Sequence, residues 1–254
     1  CNMDAAVDAG DISAVVMEIF DGDGTGVGTV AGGTFAGGPG CDANQDTVIN
    51  AADISCTVLL IFNGPNSCSA LASGASRPAA QLAIRNTHVD LAKEAATVEI
   101  LLTGGAGQVS ALTFVIDYDA TQLWFDANDS DGDGLPDAVS LPTATGERLV
   151  DLTDRGGQLA IALADISAVP TGFADGIVLT LTFGVKHPVG NDTVTSELTF
   201  RREEPASLGR TNGASLAVNA HDGILTITPI TVVSQLYLPL VQVDVTTTAA
   251  NTPK

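Results

Sequence analysis

A chain of 254 residues with 45% apolar but only 4% aromatic residues has room for one large or two small cores built mainly from Val, Ile, Leu and Ala. Thirty acids against ten bases leave a net charge of −20, which argues against a nucleic-acid partner and suits a hard divalent cation held by clustered oxygens. No apolar run approaches the ~18 residues of a membrane span, and no signal peptide leads the chain, so a mature, processed form is expected.

The first unit is a duplication. Asn2, Asp4, Ala9, Asp11, Ile12, Ser13, Val16, Ile19, Phe20 and Gly22 recur 42 residues later as Asn44, Asp46, Ala51, Asp53, Ile54, Ser55, Val58, Ile61, Phe62 and Gly64. In the second copy Asp42, Asn44 and Asp46 take positions 1, 3 and 5 of a calcium loop, with Asn50 and Asp53 at 9 and 12. In the first copy Asn2, Asp4, Asp8 and Asp11 take positions 3, 5, 9 and 12. A helix is predicted after each loop, because Ile12, Val15, Val16, Ile19 and Phe20 share one helical face and Ile54, Thr57, Val58, Ile61 and Phe62 repeat it. Gly22 and Gly64 are natural helix stops.

Two such half-loops ending in aspartate, each feeding one helix, resemble a dockerin module over residues 1–22 and 41–64. The resemblance implies calcium-dependent folding and docking onto a cohesin. Two departures stand out. Loop position 6, usually glycine, is Ala5 and Thr47, which predicts strain in the loops. The pairs at positions 10 and 11, often hydroxyl-bearing in that family, are Ala9–Gly10 and Ala51–Ala52. The next helix positions expected to be exposed are Val16–Met17 and Val58–Leu59, so a mainly apolar partner contact is expected there. The plainer alternative is a calcium-stabilised helix pair whose apolar faces only pack on each other.

All four cysteines, Cys1, Cys41, Cys56 and Cys68, fall within this unit. An even count in a short segment reads as two disulfides and an extracellular setting; zinc is the rival, but there is no CxxC pair and no histidine before His88. Of the three possible pairings, Cys1–Cys41 with Cys56–Cys68 is favoured because Cys1 and Cys41 sit near the starts of equivalent loops. A lipidated Cys1 is a weaker reading and the one route considered to a membrane anchor. Between the copies, residues 21–40 are glycine-rich. No strand precedes them and no Lys-Ser/Thr follows, so a phosphate loop is disfavoured; Asp21, Asp23 and Thr25 could take a cation, but a flexible loop or small hairpin is expected.

Residues 69–80 read as a linker, after which the period changes from 3.6 to 2. Val98, Ile100 and Leu102 alternate with Thr97, Glu99 and Leu101; Leu112, Phe114, Ile116 and Tyr118 share a face, as do Leu159, Ile161 and Leu163, and Ile177, Leu179, Leu181, Phe183 and Val185. Leu198 and Phe200 and the run GILTIT at 223–228 complete the series. Short alternating strands between Gly, Asp and Asn turns predict a mainly β, jelly-roll-like sandwich behind the small helical unit. The opening ATVEILLTGGAGQVSALTFVIDYDATQLWF and the closing HDGILTIT resemble a cohesin over residues 81–229, which implies a protein–protein docking role. A carbohydrate-binding module is the obvious confusion. It is disfavoured because Trp124 is the only tryptophan and Tyr118 falls on a predicted core face.

One loop of the sandwich has ligand spacing. In DSDGDGLPD, Asp129, Asp131 and Asp133 stand at positions 1, 3 and 5, Gly134 at 6, the Leu135 carbonyl at 7 and Asp137 at 9, while Ser140 replaces the glutamate at 12. A structural calcium site is expected. His88, His187 and His221 are scattered and no nucleophile or zinc motif occurs, and the acids that a glycosidase-type carboxylate pair would need concentrate in calcium-like loops, so no enzyme is expected. Beyond the sandwich, residues 230–254 hold an apolar strand-like run; Leu236, Leu238 and Leu240 on it are candidates for strand addition to a neighbouring sheet edge, with packing on the chain's own domain as the alternative.

Together these features predict a non-catalytic, calcium-dependent extracellular assembly protein at the cell surface. The main expectation is head-to-tail association of identical subunits into a filament; the alternatives are a scaffoldin-type adaptor for dockerin-bearing enzymes and a polysaccharide-binding module.

Overall fold

The computed structural model describes residues 1, 7–20, 41–68, 80–90, 94–142, 147–186 and 192–228. Two helices open it, α1 (Ala9–Phe20) and α2 (Ala51–Asn63). Helix α2 begins where the sequence supplies a reciprocal cap. Asn50 is extended, its side-chain oxygen accepts the Ala52 amide, and the Asp53 carboxylate accepts the Asn50 amide. It ends at Gly64, which takes φ 79° and donates its amide to the Leu60 carbonyl.

Among the described residues fourteen strands follow: β1 (Ala80–Ile84), β2 (Thr87–Asp90), β3 (Ala95–Thr103), β4 (Val109–Tyr118), β5 (Leu123–Phe125), β6 (Val139–Ser140), β7 (Arg148–Asp154), β8 (Gln158–Asp165), β9 (Gly176–Val185), β10 (Val194–Phe200), β11 (Ser207–Arg210), β12 (Ser215–Leu216), β13 (Val218–His221) and β14 (Gly223–Thr228). They form two sheets. The six-stranded one runs β13-β1-β3-β9-β5, with β6 also on β9. The eight-stranded one runs β12-β11-β4-β10-β14-β2, with β8 on the other side of β4 and β7 at the edge beyond it. Most pairs are antiparallel; β1–β13 and β14–β2 are parallel.

The core between the sheets is made by the alternating residues. Val98, Ile100 and Leu102 of β3 and Leu179, Leu181 and Phe183 of β9 meet Leu112, Phe114 and Ile116 of β4 and Leu159, Ile161 and Leu163 of β8, all buried in one cluster. Phe114 packs edge-on against Phe200, and Tyr118 and Phe125 both pack on Phe183. This mainly β, two-sheet architecture is the one the period-2 runs predict.

Strand β4 departs from simple alternation, because eight successive residues, Val109–Ile116, are buried. A strand buried on both faces must be covered on its outer face too. The cover is the helix pair. Ile12, Val15 and Val16 of α1 and Ala51, Ile54 and Val58 of α2 form a second cluster with Ala111 of β4 and Ala162 and Ala164 of β8. The chain is thus three-layered over half of the eight-stranded sheet: helices, sheet, sheet.

Candidate docking surface and cation loops

The contact between helices and sandwich is a fitted one. On the outer face of the eight-stranded sheet, Ala111 pairs with Ala164 and Thr113 with Ala162, so the floor carries only short side chains. Gly209 of β11 extends it. A Cβ built there would lie 2.3 Å from the Ala51 carbonyl oxygen and 2.5 Å from Ser55 Oγ, so α2 rests directly on that backbone. Hydrogen bonds fix the register. The Ala51 amide donates to Ser207 Oγ at 3.0 Å, and Ser110 Oγ donates to Ser55 Oγ at 2.9 Å. Asn44 Nδ2 donates to the Gly213 carbonyl at 3.1 Å, Ser215 Oγ to Asp46 Oδ2 at 2.9 Å, and Asn63 Nδ2 to the Ala168 carbonyl at 3.2 Å.

Disulfides tie the unit together, Cys1 to Cys41 and Cys56 to Cys68. Cys68 also abuts the β11–β12 turn: a Cβ on Gly213, which sits at φ 80°, would fall 2.4 Å from Cys68 Sγ.

This arrangement corrects one expectation. Val16, Val58 and Leu59 were expected on an exposed helix face, but they are 2%, 0% and 8% exposed. The reason is that α2 is covered on every side, buried at nine successive residues from Ala51 to Leu59 with the polar Asp53, Ser55 and Thr57 among them, and sits between α1 and the sheet. Of the four, Met17 alone is open to solvent, at 73%. Leu236, Leu238 and Leu240 lie outside the described residues, as do Asn2, Asp4, the 21–40 segment, the 69–79 part of the linker and the tail from 229; Ala80 already belongs to β1.

The second front loop closes on itself. Asp42 accepts the amides of Asp46 and Thr47, Asn44 Oδ1 accepts that of Asp46, and Asp46 accepts that of Val48. Asp53 is fully buried and accepts the amides of Asn44 and Asn50. Burial pushes the Asp53 carboxyl up to about 7, against the pull of those two amides; the charges of Asp42 and Asp46 push the same way as burial. A divalent cation would offset that burden. The Asn44 side chain is held by Nδ2, which donates to Asp46 Oδ2 and to the Gly213 carbonyl, leaving Oδ1 as its one possible ligand atom. In the first loop, Asp11 is buried beneath Cys1 and accepts the Asp8 amide, while the Asp8 carboxylate accepts the amide of Gly10.

The sandwich loop between β5 and β6 is better formed for a metal. Asp129, Asp131 and Asp137 present carboxylate oxygens that all lie within 4.8 Å of one another, the one such trio among the described residues. Asp129 accepts the amides of Gly132 and Gly134, and the Gly134 hydrogen bond comes first among the causes that hold its carboxyl below the usual range. Gly132 and Gly134 both take positive φ, which the tight turn requires. Asp133 and Leu135 line the same small cleft with Asp131, Pro136, Asp137 and Val139. Hard oxygens at this density fit Ca²⁺.

No protein-family model and no curated protein matches the sequence. Among solved structures, the chain is similar to the sixth cohesin of Acetivibrio cellulolyticus scaffoldin B, a structure in complex with a Cel5 dockerin mutant, at 16% identity, over 58% of this chain and 97% of that one, with a TM-score of 0.46. It is similar to the cohesin of a Coh-OlpC–Doc435 complex from Clostridium thermocellum at 10% identity, over 62% and 100%, with a TM-score of 0.47. It is likewise similar to a non-cellulosomal cohesin of the archaeon Archaeoglobus fulgidus at 16% identity, over 59% and 91%, with a TM-score of 0.44.

Proposed function

We propose that the chain is a non-catalytic extracellular protein-interaction module of the adaptor kind, whose sandwich carries a face built to receive a pair of calcium-loop helices. One observation carries this reading. The outer face of the eight-stranded sheet is paved with Ala111, Ala162, Ala164 and Gly209, and a helix rests on it at backbone contact. Floors of this kind are made for a fitted partner, because short side chains leave nothing to bury alone. Two disulfides in the front unit fit an oxidising, extracellular location. No helix among the described residues is long and apolar enough to cross a membrane. Calcium is the ion proposed for the loops, with Asp129, Asp131 and Asp137 as the best-formed ligand set.

A second reading has an observation of its own. The helix pair that fits the face is the chain's own, so a neighbouring identical chain offers the same plug. Exchange of that contact between chains would link subunits head to tail, a heterologous arrangement that grows into rings or filaments. Sedimentation of the full chain over a range of concentrations, in calcium and in EDTA, with and without a dockerin-bearing protein, tests both. Adaptor function predicts calcium-dependent capture of the dockerin-bearing protein by a monomer, the incoming helices taking the place of the chain's own pair on that face. Exchange predicts mass that grows with chain concentration. A monomer at every concentration that captures nothing would refute both.

A further inference from the structure

On the outer face of the six-stranded sheet, among the described residues, one large apolar side chain is strongly exposed. Trp124 is 47% exposed and is paired across the β5–β9 ladder with Gly184. A Cβ on Gly184 would fall 2.0 Å from both Cε2 and Nε1 of the indole and 2.5 Å from Cζ2. The ring is therefore laid flat over a glycine, one π-face on the strand and the other turned outward. Gly184 is the residue that permits this; a side chain there would tip the ring off the sheet.

The ladders define what surrounds the ring. Gly184 pairs with Ala95, Thr182 with Thr97, and Thr180 with both Glu99 and Ser140. These residues share the outer face with Trp124, since directly paired residues point the same way and successive ones alternate. Two such steps along β9 extend the platform about 13 Å from the indole, at roughly 3.3 Å per residue. It is hydroxyl-lined, and Glu99, the acid among these paired residues, is itself paired with Arg85.

We propose that this face is a binding platform for a neutral polysaccharide, with Trp124 as the stacking residue and the Thr97, Thr180, Thr182 and Ser140 hydroxyls as its polar floor. An outward indole face meets the apolar C–H face of a pyranose ring, and a row of hydroxyls meets its hydroxyl edge. The chain's net charge of −20 disfavours an acidic glycan. A protein hot spot is disfavoured by the neighbours. Among the described residues, the other exposed large apolar side chains are Met17, Val48, Phe62, Val169 and Ile224, none on this sheet. Leu101 and Ile177 pair farther along the same ladder, and the positions next to the ring are Ala95, Thr97 and Thr182, so Trp124 lacks the immediate apolar surround that dries a protein contact. The proposal is independent of the helix-receiving face, which lies on the other sheet.

Trp124 is the chain's only tryptophan, so indole emission, excited beyond the absorption of Tyr118 and Tyr237, reports this platform alone. The full chain in calcium is titrated with cellohexaose, xylohexaose and mannohexaose, and its retention on insoluble cellulose and mannan is measured. The expected result is a saturable emission change with at least one oligosaccharide. Retention should fall tenfold or more in Trp124→Ala and Gly184→Ala and in part be kept by Trp124→Phe, with unfolding midpoints close to the parent's. Unchanged emission with all three sugars together with equal retention of parent and Trp124→Ala would overturn the proposal. An emission change produced only by a protein partner would overturn it too, and make the face a protein contact.

Discussion

Thr47 sits at φ 73°, in the left-handed region where a β-branched side chain crowds its own backbone. The loop demands this because Asp42 must collect the amides of Asp46 and Thr47 on one carboxylate. Thr47→Gly should therefore raise stability by about 1 kcal/mol, seen as a higher thermal midpoint in both calcium and EDTA. No gain would mean that the surrounding hydrogen bonds, not the residue, set the cost. A second residue-scale test lies in the sandwich. Asp165 is buried, pairs with Arg148 at 2.7 Å and accepts the amides of Ser167, Thr171 and Gly172. Burial alone would raise its pKa, but the Ser167 and Arg148 interactions together outweigh it and hold the carboxyl below the usual range. The folded carboxyl is thus the stronger acid, so the unfolded chain binds more protons across that window. Its contribution is present above the ordinary Asp value and lost as pH falls through the depressed one. Asp165→Asn should cost about 3 kcal/mol at neutral pH, because Arg148 loses its buried counter-charge, and should flatten the acid limb of a stability-versus-pH curve. Denaturant unfolding from pH 2 to 7 checks both.

At the scale of elements, Gly209→Ala is the sharpest probe. Its Cβ would meet the Ala51 carbonyl, which is backbone and cannot rotate away, so α2 must lift from the sheet. The expected cost is about 1–3 kcal/mol, with faster amide exchange in α2 while the inner strands β3 and β9 stay protected. Uniform loss of protection would show that helices and sandwich unfold as one unit. This contact also marks where the sequence was legible and where it was not. The long strands were legible, since Val98, Ile100 and Leu102, Leu112, Phe114 and Ile116, Leu159, Ile161 and Leu163, and Leu179, Leu181 and Phe183 all reach the core at every second position. The N-terminal end of β9 was not: the register shifts between Ile100 and Leu101, so Val178 enters the core in place of Ile177. Both helices were legible from their i, i+3, i+4 stripes. Strands β1, β2, β5, β6, β7 and β11–β13 were not singled out, being short or rimmed with polar residues whose pairing only the sheet defines. The face of α2 was misread because periodicity identifies one apolar stripe and says nothing of a second partner. The signal was present elsewhere, in Ala160, Ala162 and Ala164 alternating with Leu159, Ile161 and Leu163. Small residues outward on a strand fit a helix above as readily as open water, and only the fold decides. Trp124 shows the same limit: its exposure follows from Gly184, 60 residues away in sequence and directly opposite in the ladder.

For the whole molecule, the deciding quantity is how much of its stability depends on divalent cations rather than on screening. A net charge of −20 repels itself, so any salt should help somewhat. A specific site behaves differently: calcium at a hundredfold excess over its dissociation constant adds about 2.7 kcal/mol, and on a chain of this size that is a rise of roughly 5–10 °C in the unfolding midpoint. Sodium chloride at matched ionic strength should give much less, and magnesium less than calcium, because its small octahedral shell suits a three-aspartate turn poorly. The two loop regions can be separated. Asp131→Asn weakens the trio of the β5–β6 loop without touching the core, since all three acids are exposed. Asp53→Asn keeps the size of a buried side chain while removing its charge. If the sandwich loop is the stronger site, Asp131→Asn removes most of the calcium-specific rise and Asp53→Asn removes little. If both variants keep the full rise, or sodium reproduces it, the acids serve only as a solvated surface, and the dependence of this fold on calcium is wrong.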